Sequence, residues 1–283
     1  MTQFSYTPPT NVLAKQYIVG YYSAHGKMSA LPQHFLSTNY PAGLSYLLFM
    51  FEEESAGVIT KNNFTVFKPK VYIKVSSQER VDIRLFKQDL SHFVVLLYPH
   101  AVYSLFGVAP YEMPKGFDTE ADILNVPWIH HLHESLYEVH THHERIALFE
   151  KFLFCHCRCR FSSDMEFWNF LLQRNNFLKL SDIADVLGYS QRHIQKKLHL
   201  HTGMTYTTLR SLRQFQLSYQ LIMCANKRSK GIDFAKIAKL AHYTDQAHMI
   251  RSFHKFAHQT PVNVLKEVNK NTVPNLVYFN GIL

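Results

Sequence analysis

The chain has 283 residues, of which 47% are hydrophobic and 14% aromatic, with 30 Lys+Arg, 21 Asp+Glu and four cysteines. That length suits about two domains, each able to bury a real core. The cysteine spacing is not that of a small disulfide-stapled fold. The longest apolar runs, 46–51 and 93–98, are too short to cross a bilayer, and residues 1–17 lack the apolar core of a signal peptide. A cytoplasmic protein with no membrane partner is therefore expected.

The net charge of +9 is unevenly placed. Residues 1–160 carry 14 basic and 14 acidic side chains, 161–270 carry 16 and 7, and 271–283 carry none. The whole excess sits in the second half, which points to a polyanionic partner for that part alone.

In chain order, strand-like runs rich in aromatic and β-branched residues occur at 16–24, 45–51, 63–67, 70–75, 82–87 and 93–98. They predict a curved sheet or small barrel. Helices follow from about 130 to 159. A barrel mouth suits a small-molecule effector, although any single Tyr or Phe of these strands is read as core. Cys155, Cys157 and Cys159 cannot share one helix face, and the other half of a zinc motif is missing. Packing or a dimer surface is favoured over metal or redox sensing. His130, His131, His133, His140, His142 and His143 crowd fourteen residues, and a polar helix face is favoured over a metal or pH-responsive site. No cofactor, metal or catalytic residue is expected.

From 166 onward the spacing of apolar residues is helical. The second half holds one pattern twice: 183–194 and 237–249 each read as a short apolar helix, a turn and a second helix. Gly188 ends the first short helix, and Gly203 closes the helix 191–201. The turn hydroxyls of Ser190 and Thr244 are placed to cap the following helices. A longer helix from about 205 to 223 joins the copies, and the second starts at Asp233. The offset between copies is 54 up to Tyr189 and Tyr243, and 55 from Ile194 and Met249 onward. The joining helix would be roughly 30 Å long, close to the 34 Å or so between successive major-groove faces.

These residues carry a family resemblance. The stretch from about Phe167 to Val268 resembles the DNA-binding domain of the AraC/XylS family of bacterial transcription regulators. The matching pieces are Asp182 to Gln195 with Gly203-Met204, and Tyr243 to Phe253 with Thr260-Pro261. Residues 94–108 resemble, more weakly, part of an effector-type domain found ahead of such domains. Three departures stand out: His242 and His258 where glycine is usual, and Met249 where an aromatic is common. The second motif is therefore expected to be less rigid and to read less sequence than the first.

The resemblance implies an α+β protein. An effector or dimerisation domain would occupy 1–160, with β structure followed by helices. An all-α DNA-binding domain with two helix-turn-helix motifs would occupy 161–270, and a tail 271–283. It implies a transcription regulator, an activator in keeping with the family, that is not an enzyme. Double-stranded DNA and RNA polymerase would be partners, with a small-molecule effector or a homodimer as the control. Base contacts would come from Gln191, Arg192, Gln195 and Lys196 in the first motif and from Gln246, His248 and Arg251 in the second. Ser190, Lys197, Thr244 and Lys255 would contact phosphates. A DNA-repair alkyl acceptor using a cysteine, a metal-responsive regulator and a nonspecific architectural binder are the competing readings. None of the cysteines has the flanks of an activated nucleophile.

Overall fold

The computed structural model describes residues 3–27, 36–52, 56–59, 64–76, 78–85, 89–114, 119–157, 164–172, 177–227 and 231–270. The chain is α+β, with a β-rich first part and a helical second part.

In chain order the first part contains β1 (Gln3–Thr7), α1 (Ala14–Tyr17), β2 (Ile18–Lys27), β3 (Leu36–Asn39), β4 (Ser45–Met50), β5 (Ala56–Ile59), β6 (Phe64–Val66), β7 (Val71–Lys74), β8 (Val81–Leu85), β9 (Asp89–Leu97) and α2 (Ala101–Phe106). After α2 come two 3₁₀ turns, Pro110–Glu112 and Ala121–Leu124, then α3 (Trp128–Glu138) and α4 (His142–Cys157). The strands form two antiparallel sheets, ordered β1-β2-β9-β4-β7 and β3-β8-β5-β6. The expected curved sheet or barrel is thus two layers.

Side chains alternate across the five-stranded sheet, as the period of two requires. Tyr21, Leu47, Phe49, Ile73, Phe93 and Val95 face the helices, where Leu132, Leu136, Phe149 and Leu153 cover them. Tyr22, Tyr46, Leu48, Tyr72, Val94 and Leu96 face the other way and share a core with Val81 and Phe67. The sheet is buried on both faces, which is why β4 and β9 read as near-continuous apolar runs. The helices expected from about 130 to 159 are α3 and α4 as far as the described residues reach, and Thr141 and Glu144 form a reciprocal cap at the start of α4. The Thr141 Oγ1 accepts from Glu144 N at 3.2 Å, and Glu144 Oε2 accepts from Thr141 N at 3.1 Å.

The second part contains α5 (Met165–Leu172), α6 (Leu180–Leu187), α7 (Gln191–Thr202), α8 (Tyr206–Lys227), α9 (Phe234–Leu240), α10 (Gln246–Ala257) and α11 (Pro261–Lys270). One core joins them: Ile183, Ile194 and Leu198 from the first motif, Ile237, Met249 and Phe253 from the second, and Leu209, Leu212, Phe215 and Ile222 along α8. The first turns of α8 serve the first motif, with the Tyr206 hydroxyl donating to Leu178 O at 2.8 Å. Its middle serves the second, where Phe215 meets Phe253 at 4.9 Å between ring centroids.

Among the described residues the two parts are tied at two places. Tyr40, ahead of β4, packs on Phe215 and Tyr219. Arg80, before β8, bonds Glu267 of α11 at 3.0 Å, and Thr38 and Tyr40 donate to the same carboxylate. At the other place, α2 and the turn Pro110–Glu112 pack on α7. No helix among the described residues is long and apolar enough to cross a membrane.

Candidate nucleic-acid interface

Each copy of the repeat folds as a short helix, a turn and a second helix, α6–α7 and α9–α10. In the first, the Ser190 hydroxyl accepts from His193 N at 3.1 Å and caps α7 as expected. In the second, the cap of α10 is Asp245, whose Oδ1 accepts from His248 N at 2.7 Å. Thr244, expected as the cap, stands one residue earlier. The cause is the step in offset from 54 to 55: the second turn holds one extra residue, so Asp245 occupies the place of Ser190. Asp233 caps α9 in the same manner, accepting from Lys236 N at 2.9 Å.

The turns also need left-handed backbone. Gly188 (φ 67°) and Gly203 (φ 68°) supply it in the first copy, and His242 (φ 59°) and His258 (φ 57°) in the second. His242 is held there by stacking on Phe177, with ring centroids 4.2 Å apart, and by its carbonyl accepting from the Gln214 side chain.

Gln191, Arg192, Gln195 and Lys196 are all exposed along α7, as are Gln246 and Arg251 on α10. His248 is half-buried, beside the Tyr243 ring at 5.1 Å and 3.4 Å from the Thr244 hydroxyl. Ser190, Thr244 and Lys255 are exposed. Lys197 is engaged elsewhere: its ammonium lies 2.6 Å from Asp164 and over the Phe167 ring. At an offset of 55, Gln191 matches Gln246, Lys196 matches Arg251, and His193 matches His248. His193, exposed and stacked on Tyr189 at 4.8 Å, is a candidate that residue-type reasoning missed. Its shared register with His248 was the available signal.

The far end of α7 belongs to the contact with the first part. Tyr111 stacks on His199 at 4.8 Å, Tyr103 meets His201 at 4.4 Å, and the Ser76 hydroxyl donates to Thr202 O. His100 is sealed against Trp168, ring to ring at 4.8 Å. Burial, aided by His201 beside it, lowers the His100 pKa to about 3. Burial and then the Lys197 ammonium lower that of His201 to about 4.

The clustered histidines are spread over separate contacts. His130 pairs with Asp122 at 2.8 Å, His133 reaches Met50 O at 2.7 Å, and His142 bridges Ser23 and Thr7. Among the described residues no group of three His, Cys, Asp or Glu is placed to hold a metal ion. Cys155 and Cys224 are exposed and Cys157 is buried, while Cys159 lies outside the described residues.

A domain of two sheets joined to a helical domain with a doubled helix-turn-helix is the class that the coordinates define. No family model matches the chain, and no curated protein does. Solved structures do align with it at low identity. ToxT from Vibrio cholerae, in its P21 crystal form, is 11% identical over 93% of this chain and 98% of its own, with a TM-score of 0.44. ToxT from strain O395 is 14% identical over 89% and 99%, with a TM-score of 0.45. CuxR, an AraC-like transcriptional activator, is 12% identical over 73% and 84%, with a TM-score of 0.28.

Proposed function

We propose that the chain is a sequence-specific DNA-binding transcription regulator that places α7 and α10 in adjacent major grooves of one duplex. The observation that carries this reading is the duplicated motif itself: two capped second helices, each with exposed polar residues on its early turns, built on one joining helix. At 22 residues α8 is roughly 33 Å long, in keeping with the 34 Å or so between successive groove faces. The basic excess in the same segment supplies the attraction to phosphate.

In this reading Gln191, Arg192, Gln195 and Lys196, with Gln246, His248 and Arg251, read bases. Ser190, Thr244 and Lys255 position the backbone. The engagement of Lys197 with Asp164 argues for a structural role there instead. The β-rich domain would act as the control, through an effector or a second copy. Its grip on the end of α7 supplies a route from that domain to the first recognition helix. Recruitment of RNA polymerase belongs to the same proposal.

Selection of bound sites from random duplex DNA, with the full chain near physiological salt, tests it. Two enriched blocks with centres about one helical turn apart are expected. Salt-sensitive binding with no enrichment would sink the sequence-specific reading in favour of an architectural binder.

A further inference from the structure

The leading helices of the two motifs carry opposite charge at equivalent positions. With the offset of 54, Asp182, Asp185 and Val186 of α6 correspond to Lys236, Lys239 and Leu240 of α9. All six are exposed, and the two apolar ones strongly so, Val186 at 62% and Leu240 at 51%. A local role accounts for Asp182, which accepts from Lys179 N in the first turn of α6. None accounts for Asp185. It sits in the last turn of α6, where the helix dipole disfavours a carboxylate, and no ion pair joins it to another described residue. Each face is thus an apolar knob beside two like charges, and the two faces match in layout and are opposite in sign.

We propose that these faces dock on each other between copies of this chain, the α6 face of one copy seating on the α9 face of the next. The inference rests on the DNA-binding reading. Two α6 faces would set carboxylates against carboxylates, and two α9 faces ammonium against ammonium, so symmetric pairing is disfavoured. A contact between two different faces closes only into a ring, where the rotation between copies permits it, and otherwise continues from copy to copy; copies lined up along one duplex take the open form. The fitting arrangement is a head-to-tail row on direct repeats. None of the six residues is a proposed base-reading position, so the contact and groove engagement do not compete. A patch of this size is weak in free solution. On DNA the neighbours are held at high effective concentration, and a weak contact becomes visible.

The test compares binding of the full chain to a short duplex that holds one copy and to a long duplex that holds several. Wild-type protein is expected to bind the long duplex with a cooperativity factor of about ten, the worth of a few exposed charge pairs and an apolar contact. D185K alone and K239D alone should each bring that factor to about one. The double variant D185K/K239D keeps the wild-type net charge and should restore it. All six positions are exposed, so these variants should melt as wild type does. Cooperativity that is absent from the wild type, or untouched by the single reversals, overturns the proposal. So does a K239D defect on the short duplex that the double variant fails to repair, which would make Lys239 a phosphate contact. Failure to bind either duplex would instead overturn the DNA-binding reading, and this inference with it.

Discussion

Gly188 and Gly203 hold the left-handed positions of the first motif, and His242 and His258 hold the same positions in the second. A side chain there costs about 1 kcal/mol or more. The first motif avoids that cost with glycine. The second offsets it at His242 by stacking on Phe177 and by the bond from Gln214. The aromatic of the turn differs as well: Tyr189 is 39% exposed, while Tyr243 is 6% exposed and donates to Ser252 Oγ at 3.0 Å. The second motif, expected to be the looser, carries its turn on contacts that His242 and Tyr243 make with other elements. One architecture can therefore be kept by local backbone chemistry in one copy and by tertiary contacts in the other.

The largest test of that contrast lies in the shared core. Leu198 and Phe253 are equivalent and fully buried. Leu198→Ala should cost about 2–5 kcal/mol and Phe253→Ala about 3–5 kcal/mol. Because one core serves both motifs, α7 and α10 should lose structure at the same denaturant concentration in each variant. Different midpoints for probes placed on α7 and on α10 would break the picture of a joint unit.

The matched pair Lys196 and Arg251 compares the motifs as readers. Each alanine variant should lose about 1–3 kcal/mol of binding and relax preference at its own block of the selected site. A loss from Arg251→Ala that is uniform across sequences would mean that the second motif positions without reading.

Acid should act where the first part meets the first motif, in addition to its action at His92 and His142 within the first part, whose pKa values burial also lowers to about 4. His100 and His201 have folded-state pKa values of about 3 and about 4, below the ordinary 6.5. Between those values the unfolded chain binds more protons than the folded one, so stability falls as pH drops from about 6.5 toward 4. The slope is at most about 1.4 kcal/mol per pH unit for His100, and smaller for the partly exposed His201. Urea midpoints measured across this range should show it. His201→Gln should flatten the slope, and an unchanged slope would remove His201 from the account.

The smallest effects concern the turns. His258→Gly should stabilise by about 1 kcal/mol. His242→Gly should be near neutral, because relief of the backbone is offset by the lost stacking on Phe177. Gly203→Ala should destabilise by about 1–2 kcal/mol, since its Cβ would also lie 3.3 Å from Tyr111 N. Thermal melts rank the three, and a clear gain for His242→Gly would show that the stacking contributes little.

The helical half was legible because its signals are local: apolar spacing, Gly188 and Gly203, and the Ser190 cap. The Thr244 expectation failed by one residue, since the register step falls inside the turn and only the folded backbone shows that Asp245 takes the cap. Strands β1, β3 and β5 were passed over. Gln3–Thr7, Leu36–Asn39 and Ala56–Ile59 are only five, four and four residues long, too short for an alternating pattern to stand out from its surroundings. The candidate reading residues came from the family resemblance, and all but the half-buried His248 are exposed. The engagement of Lys197 by Asp164, the grip of Tyr103 and Tyr111 on α7, and the reach of Arg80 to Glu267 join residues distant in sequence. No pattern along the chain encodes those pairings.

The pairing of β2 with β9 sets a timetable for the nascent chain. Tyr21 lies opposite Val95 and Tyr22 opposite Val94, so the central ladder of the five-stranded sheet closes only after a long loop has been made and gathered. Each helix-turn-helix, by contrast, is assembled from neighbours in sequence. Refolding from denaturant should therefore run in two stages. The helical half should form early, and the surface that grips the end of α7 should arrive last.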